Sequence, residues 1–184
     1  VTTSYSQADK MWVGESALPT FQGNLSTHFD YKGVFLDVSV MFSGGNKIME
    51  TWTEYYMHSG YYPIAYFQGL EELMNRWQEP GDEKTTNVPK QTFSSDKSAE
   101  PSTRFLYEGD YARVQDITLG YNFPSELTNQ FGIKGLRIYA RASNYFTWVK
   151  DDGLKYDPAV ETDGFTDLTT PPVKTITFGA NLKF

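Results

Sequence analysis

The sequence predicts an all-β, antiparallel fold, on the basis of its periodicity and the lengths of its connections. Five segments alternate apolar and polar residues with a period of two, as a strand with one apolar and one polar face does. Short and long connections follow one another between these segments, and no run of about 18 apolar residues could form a membrane-spanning helix. This pattern is typical of an outer-membrane β-barrel, but a soluble β-sandwich has the same periodicity. Periodicity alone leaves both architectures open.

The first two predicted strands form a hairpin. The segment 21–31 places Phe29 and its other large apolar residues on one face and polar residues on the other. The segment 34–42 alternates in the same way. Lys32-Gly33 supplies the short turn between them, so the two strands are expected to pair with each other.

In the third predicted strand, 111–123, the apolar residues switch from even-numbered to odd-numbered positions. Val114 and Ile117 are separated by an odd number of positions, so a regular strand would turn one of them to the polar face. Because a slip of one residue reverses every side chain that follows, we expect a bulge near Gln115-Asp116.

Two more strands complete the predicted set. The segment 136–148 alternates apolar residues with arginine, tyrosine and serine. The segment 175–184 alternates over its whole length and finishes on Phe184. Chain ends usually fray, so an aromatic residue at the last position indicates an anchored strand.

The longest connection, 43–103, is predicted to contain helical pieces followed by coil. Residues 79–101 are rich in Pro, Ser, Thr, Asp and Lys, which is typical of coil. A compact domain seldom contains a loop of this length unless the loop has a function. The two series with the spacing of a helix face are Ile48, Trp52 and Tyr55, and Tyr66, Leu70, Met74 and Trp77.

Composition excludes several classes of function. The 184 residues include 16 basic and 23 acidic side chains, a formal charge of -7, and no basic patch, so we predict no nucleic-acid partner. The chain has no cysteine, which excludes disulfides and thiol chemistry. It begins without an initiator methionine or a signal peptide, so we expect residue 1 to lie inside a longer chain.

Acidic residues in the last long connection are the candidates for catalysis. A glycosidase needs two carboxylates on opposite sides of a bond, and a calcium site needs several oxygen ligands. Charged loop residues are usually solvated and the spacing is not that of an EF-hand, so we predict no enzyme, no metal and no cofactor. His28 and His58 lack the spacing of metal ligands. The carboxylates are Asp151, Asp152, Asp157 and Glu161.

Four stretches, in order along the chain, carry the motifs of a known family. They are ALPTFQGNLSTHFDYKGVFLDVSVMFSGGNKI, YEGDYARVQDITLGYNFP, GLRIYARASNYFTWVKDDGLKYDPAV and the final TITFGANLKF. Each resembles the corresponding part of SusC/RagA-type TonB-dependent transporters, including the Tyr-x-Arg-Val strand and the Tyr-Asp-Pro loop. Together they cover about residues 17–50 and 103–184.

The resemblance implies an antiparallel transmembrane β-barrel segment with long extracellular loops. It would supply about the last five of the roughly 22 strands of a plugged outer-membrane barrel. The implied organisation is an extracellular loop at 1–20, a barrel hairpin at 21–42, a long extracellular loop at 43–103, a barrel hairpin with a periplasmic turn at 104–149, an extracellular loop at 150–174 and a terminal barrel strand at 175–184.

The resemblance also implies a function and a set of partners. The protein would be part of an importer of oligosaccharides or peptides in the outer membrane of a Gram-negative, Bacteroidetes-like cell. The implied partners are the plug and other strands of the same chain, a SusD-like surface lipoprotein, the outer-membrane assembly machinery, membrane lipids and, through the missing N-terminal part, TonB. The alternative is a soluble β-sandwich carbohydrate-binding module, which shares the aromatic richness and the period-two strands.

The candidate contact residues for substrate or the lipoprotein lid are aromatic. Aromatic rings stack on sugars and hold peptides, although they also pack into the small core of a loop. The candidates are Trp52, Tyr55, Tyr56, Tyr61, Tyr62, Tyr66, Trp77 and Trp148.

The final strand resembles the signal that the outer-membrane assembly machinery recognises. An edge strand of this kind would pair with the machinery and then with the first strand, which closes the barrel. The residues that match the signal are Thr177, Gly179, Leu182 and Phe184.

Overall fold

The structure is a computed structural model that describes residues 4–59, 68–92, 97–159, 162–166 and 170–184. Among these residues no helix is long and apolar enough to cross a membrane. The chain divides into two compact units. The sheet unit comprises Leu18–Asn46, Glu108–Ala159 and Thr169–Phe184, and the loop unit comprises Val1–Ala17, Lys47–Tyr107 and Val160–Leu168.

The described residues form two sheets. The larger has five strands in the order β1-β2-β5-β6-β8, all antiparallel to their neighbours, and the smaller has three in the order β4-β3-β7. The described part of the chain contains two α-helical turns, α1 at Thr53–Tyr56 and α2 at Ser125–Thr128. The strands are β1 (Phe21–Tyr31), β2 (Val34–Gly44), β3 (Lys47–Glu50), β4 (Leu106–Glu108), β5 (Tyr111–Asn122), β6 (Gly135–Val149), β7 (Phe165–Thr166) and β8 (Thr175–Lys183).

The predicted hairpin is confirmed, with β1 paired to β2 from Phe21–Gly44 to Tyr31–Val34. Its two turn residues, Lys32 and Gly33, have φ angles of 50° and 87°. Two consecutive positive φ angles are those of a type I′ turn, whose twist matches that of the strands it joins.

The predicted bulge is also confirmed. Both pairings of β5 shift register between Val114 and Asp116, and Gln115 is the extra residue against β2, where these two face the consecutive residues Val40 and Ser39. This insertion turns Val114 and Ile117 to the same face of the sheet. The Gln115 side chain accepts a hydrogen bond of 2.9 Å from Asn24 Nδ2, which places it on the polar face.

One face of the large sheet is apolar and exposed. The strand registers align its side chains across all five strands, and Phe178 and Leu25 are 80% and 67% exposed. In a β-sandwich such a face would be buried against a second sheet. The exposed large side chains on this face are Phe21, Leu25, Phe29, Tyr31, Val34, Phe42, Leu119, Ile138, Phe146, Trp148, Ile176, Phe178 and Leu182.

Two glycines leave room for aromatic rings on the polar face. A Cβ on Gly120 would stand 2.3 Å from the Phe35 ring, and a Cβ on Gly179 would stand 2.3 Å from the Tyr139 ring. Both glycines face these rings from neighbouring strands, so each ring covers backbone that would otherwise be open to water.

The loop unit has a small hydrophobic core of its own. Buried side chains from four separate segments meet there, and Phe105 is fully buried. The core consists of Met57, Leu73, Val88 and Phe105, with Met49, Leu70 and Tyr107 packed against it.

The helical prediction for this loop is confirmed only in part. Ile48 belongs to β3, and in the described part of the loop the α-helix is limited to the single turn α1, which contains Tyr55. The second series contains only the 3₁₀ turn Glu71–Asn75, and Tyr66 lies outside the described residues. Pairing of Met49 with Phe165, which is distant in the sequence, overrides the local helical spacing around Ile48.

Candidate functional site

The polar face of the large sheet carries a row of ionisable side chains that lie close to one another. His28 Nδ1 lies 2.5 Å from Asp37 Oδ1, across the β1–β2 pair. The other Asp37 oxygen lies 3.8 Å from the guanidinium of Arg137, which in turn stands 3.8 Å from the Phe35 ring centroid. These groups therefore form a polar wall that begins on β1 and reaches β6.

A second group continues this row further along the strands. Asp116 Oδ1 accepts hydrogen bonds from Arg141 Nε at 2.7 Å and from Ser143 Oγ at 2.6 Å. Asn24 Nδ2 donates to Ser39 Oγ at 3.0 Å. The apolar face carries no comparable groups among the described residues. The sheet therefore has one polar face and one apolar face.

Arg113 and Asp157 form the best-connected ion pair of the sheet unit. Arg113 Nη2 lies 2.5 and 2.6 Å from the two Asp157 oxygens, and its Nε donates to Thr147 Oγ1 at 3.1 Å. Asp157 Oδ1 also accepts the Ala159 N–H at 2.9 Å. The Arg113 side chain is nearly buried, so this contact ties the segment that follows β6 to the polar face of β5.

The structure gives partners to two of the carboxylates that the sequence analysis named as candidates for catalysis. The Asp157 carboxylate is engaged by Arg113, and Asp151 accepts the backbone N–H groups of Glu108 and Gly153. Glu161 lies outside the described residues. Within the described part of the chain, no group of three or more His, Asp or Glu residues is arranged to hold a metal ion.

The loop aromatics are only partly brought together. The Trp52 and Tyr55 rings lie 5.4 Å apart at 38°, while the backbone oxygen of Tyr56 accepts the Leu70 N–H. Trp77 Nε1 donates to the Glu79 carbonyl oxygen. Three further predicted contact residues, Tyr61, Tyr62 and Tyr66, lie outside the described residues.

Trp148 lies apart from that loop, on the apolar face of β6. Its ring stacks on Phe146, with 6.2 Å between centroids and 17° between planes. It also lines a cavity of about 410 Å³ together with residues that follow β6 and precede β8.

The four residues of the predicted assembly signal lie in or next to β8. Thr177 and Gly179 pair with Arg141 and Tyr139 of β6, on the polar face. Leu182 is exposed on the apolar face, and Phe184 lies just beyond the strand and is also exposed. Gly179 therefore has a packing reason as well, since it makes room for the Tyr139 ring.

Comparisons with known proteins give one consistent result. No family model matches the chain. TonB-dependent receptors P3 and P26 of Formosa agariphila are 23% and 25% identical to it over 97% and 92% of its length. Solved structures of the RagAB peptide importer, in its closed-closed and open-open states, superpose with TM-scores of 0.79 and 0.80 at 27% identity. They cover 100% of this chain.

The match covers only a small part of each relative. The chain spans 18% and 17% of the two receptors and 19% of the RagAB importer chain. The similarity nevertheless extends over the whole described sheet and agrees with its antiparallel order and its two unlike faces. Over nearly its whole length the chain is similar to one segment of SusC/RagA-type TonB-dependent receptors.

Proposed function

We propose that the chain forms part of the wall of an outer-membrane, TonB-dependent importer. The observation that carries this proposal is the large sheet, with a continuous exposed apolar face and a hydrogen-bonded polar face. A barrel wall between lipid and a water-filled lumen has this character. The likeness to the RagAB importer over the whole chain supports it.

The sheet is completed by other strands of the same protein. Five strands are too few for a plugged outer-membrane barrel, which has about 22. The outer edges of β1 and β8 are the places where further strands would pair, because an open edge within a membrane leaves backbone groups without partners. The plug and the TonB contact belong to other parts of the transporter.

The proposed orientation places the β1–β2 and β5–β6 turns in the periplasm. The segments 1–20, 43–103 and 150–174 are then extracellular, and 21–42, 104–149 and 175–184 are barrel segments. Aromatic side chains suit the two membrane–water interfaces. The outer belt consists of Tyr145, Phe146 and Trp148, and the inner belt of Tyr31, Tyr121 and Phe123.

The substrate is an oligosaccharide or a peptide, captured with a SusD-like surface lipoprotein. The likeness to a peptide importer favours the peptide. Trp52, Tyr55, Tyr56 and Trp77 are proposed to contact the substrate or the lipoprotein, since aromatic residues dominate buried interface contacts. The undescribed Tyr61, Tyr62 and Tyr66 are proposed for the same role on the sequence alone.

The test is uptake by cells that produce the complete transporter. Fluorescent oligopeptides and oligosaccharides are supplied to cells with and without the transporter gene, and with and without TonB. We expect one class of probe to accumulate only when both are present, and the protein to fractionate with the outer membrane. A protein found in the soluble fraction would contradict the proposal and favour the carbohydrate-binding module.

The assembly role of β8 is tested separately. Removing Phe184 should reduce the amount of heat-modifiable barrel in outer membranes, because an edge strand lacking its terminal aromatic is recognised less well. Replacing Tyr55 with Ala is the matched control and should leave the barrel intact. Equal barrel levels in both variants would show that Phe184 is dispensable.

A further inference from the structure

Four glycines of the large sheet lie directly opposite an aromatic residue on the neighbouring strand. A Cβ added to any of them would collide with the ring of that residue. Glycine weakens the interior of a strand, and a ring from the next strand compensates by covering the bare backbone. The sheet therefore repeats one kind of contact. The four pairs are Gly23 with Phe42, Gly44 with Phe21, Gly120 with Phe35 and Gly179 with Tyr139.

Two of these pairs join strands whose connection cannot align them. A two-residue turn fixes the register of β1 against β2. The connections 45–110, between β2 and β5, and 150–174, between β6 and β8, are too long to do so. The Phe35–Gly120 and Tyr139–Gly179 pairs join these same strands. Because Gly120 also pairs with Tyr139, the two contacts form one row across the polar face.

Alternation of polar and apolar residues does not fix the register of β8 either. A slip of two residues returns every side chain to its own face, so the strand would keep both faces. The slip would, however, place Thr177 or Asn181 opposite Tyr139 instead of Gly179. Gly179 is also the one residue of β8 that is not exposed, because the Tyr139 ring lies over it.

We propose that the contact between Tyr139 and Gly179 sets the register of the terminal strand against β6. The inference rests on the proposed function, in which β8 must pair in one register for the barrel to close with the correct stagger. It gives Gly179, a residue of the predicted assembly signal, a positioning role inside the sheet. The contact joins two paired strands and needs no surface that is open to solvent or to a partner.

The test reads the register from a disulfide between two engineered cysteines in a cysteine-free complete transporter. Ile176 faces Ala142 in the structure and would face Ala140 after a slip of two residues. Ile176→Cys with Ala142→Cys therefore reports the observed register, and Ile176→Cys with Ala140→Cys reports the slipped one. Cysteines whose Cα atoms are more than about 7 Å apart are not bridged, so each pair reports one register. Disulfides are counted in heat-modifiable barrel from outer membranes.

Two single variants and their combination test whether the residues act together. Gly179→Thr and Tyr139→Ala should each lower the amount of barrel with the 142–176 disulfide about fivefold, the value of one good cross-strand pair. Both changes together should again lower it about fivefold rather than about 25-fold, because they remove the same contact.

Gly135→Thr is the matched control on the same face of the same strand pair. Gly135 faces Lys183, and a Cβ there would make only an ordinary contact of 3.8 Å. This variant should leave the amount of barrel with the 142–176 disulfide unchanged.

Moving the glycine should move the strand. In a chain with Thr177→Gly and Gly179→Thr, the Tyr139 ring meets bare backbone only after a slip of two residues. We expect the 140–176 disulfide to rise about 25-fold relative to the 142–176 disulfide, since about fivefold is lost in one register and gained in the other.

Two results would overturn the inference. The first is a loss that multiplies in the combined Gly179 and Tyr139 variant, as expected if the assembly machinery reads Gly179 independently of Tyr139. The second is no rise of the 140–176 disulfide in the chain with the exchanged glycine. Either result leaves the proposed function intact if the unaltered transporter forms heat-modifiable barrel. If the unaltered transporter forms no such barrel in outer membranes, the proposed function itself fails.

Discussion

The loop unit buries large apolar side chains, whereas the sheet unit exposes most of those on its apolar face. In the loop unit, Phe105 and Ile48 are fully buried, and the core around Phe105 collects residues from four segments. In the sheet unit, Phe178 and Leu25 are mostly exposed, and so are most other large side chains of the apolar face. Phe35 is an exception, because it is buried over Gly120 on the polar face.

The contrast indicates that the two units are stabilised by different surroundings. A core that excludes water by its own packing is the usual solution for a water-exposed segment. Under the proposed function, lipid takes the place of a core at the apolar face of the sheet. Net charge and mean hydropathy, which average over the two units, hide this difference.

The largest expected effect is the loss of the loop core through Phe105→Ala. This change removes a fully buried ring and leaves a cavity, so it should lower the free energy of unfolding of the loop unit by about 3–5 kcal/mol. Hydrogen exchange of the complete transporter would show faster exchange in the loop unit, while the heat-modifiable barrel remains.

Phe178→Ala is the matched change on the sheet. It should cost about 2 kcal/mol, because the transfer free energy of the ring is lost but lipid fills the space that it leaves. The midpoint of barrel unfolding on heating reports this cost. If Phe178→Ala is as damaging as Phe105→Ala, the apolar face is covered by protein and the contrast between the units is false.

The next effect concerns the ion pair that fastens the segment after β6 to the sheet. Asp157→Asn leaves Arg113 nearly buried without a carboxylate, which should cost about 3 kcal/mol, at the low end for a broken buried pair because Asp157 is partly exposed. The segment around Lys155 should then be cut faster by trypsin.

Asp152→Asn serves as the control for this change, since it removes a carboxylate from the same segment without touching Arg113. Its tryptic pattern should match that of the unaltered protein. Equal acceleration by both variants would show that Asp157 acts through general charge rather than through its contact with Arg113.

The smallest effect is a pH dependence of the loop turn at Asp82. The backbone N–H groups of Gln78 and then Glu79 donate to this carboxylate and hold its pKa below the ordinary value. Because this pKa is depressed, the ionised carboxylate stabilises the turn fully above the unfolded-state pKa of 3.8. This stabilisation is lost as the pH falls through the lower, folded-state pKa.

Amide exchange at Gln78 and Glu79 would measure this dependence. We expect exchange at both amides to gain a protected component above about pH 4 that Asp82→Asn lacks. Because Asp82 is only partly buried, the difference should be small. Identical protection in the two proteins would show that the carboxylate does not organise the turn.

The large sheet was predictable from the sequence, whereas the small sheet was not. Period-two alternation located β1, β2, β5, β6 and β8, and the change of parity within β5 located the bulge. Strands β3, β4 and β7 have two to four residues, too few to show a period. Their pairing depends on segments far apart in the chain, which local spacing cannot reveal.

The candidate site was predictable only as a set of residue types. The sequence identified the Tyr-x-Arg-Val and Tyr-Asp-Pro motifs, but their Arg113 and Asp157 are 44 positions apart and nothing in the spacing shows that they touch. Trp148 was grouped with the loop aromatics by type, although strand parity places it on the apolar face beside Phe146. Parity could have found this arrangement; the ion pair required the structure.

The central claim is that the apolar face of the large sheet meets lipid, and neighbouring residues of β8 test it most directly. Thr177 and Phe178 point to opposite faces, and the chain has no cysteine of its own. In a cysteine-free complete transporter in lipid vesicles, a fluorophore is attached to Thr177→Cys or to Phe178→Cys, and nitroxide-labelled lipid is added as quencher. We predict strong quenching at position 178 and weak quenching at position 177. Equal quenching at the two positions, or the reverse order, would contradict the account.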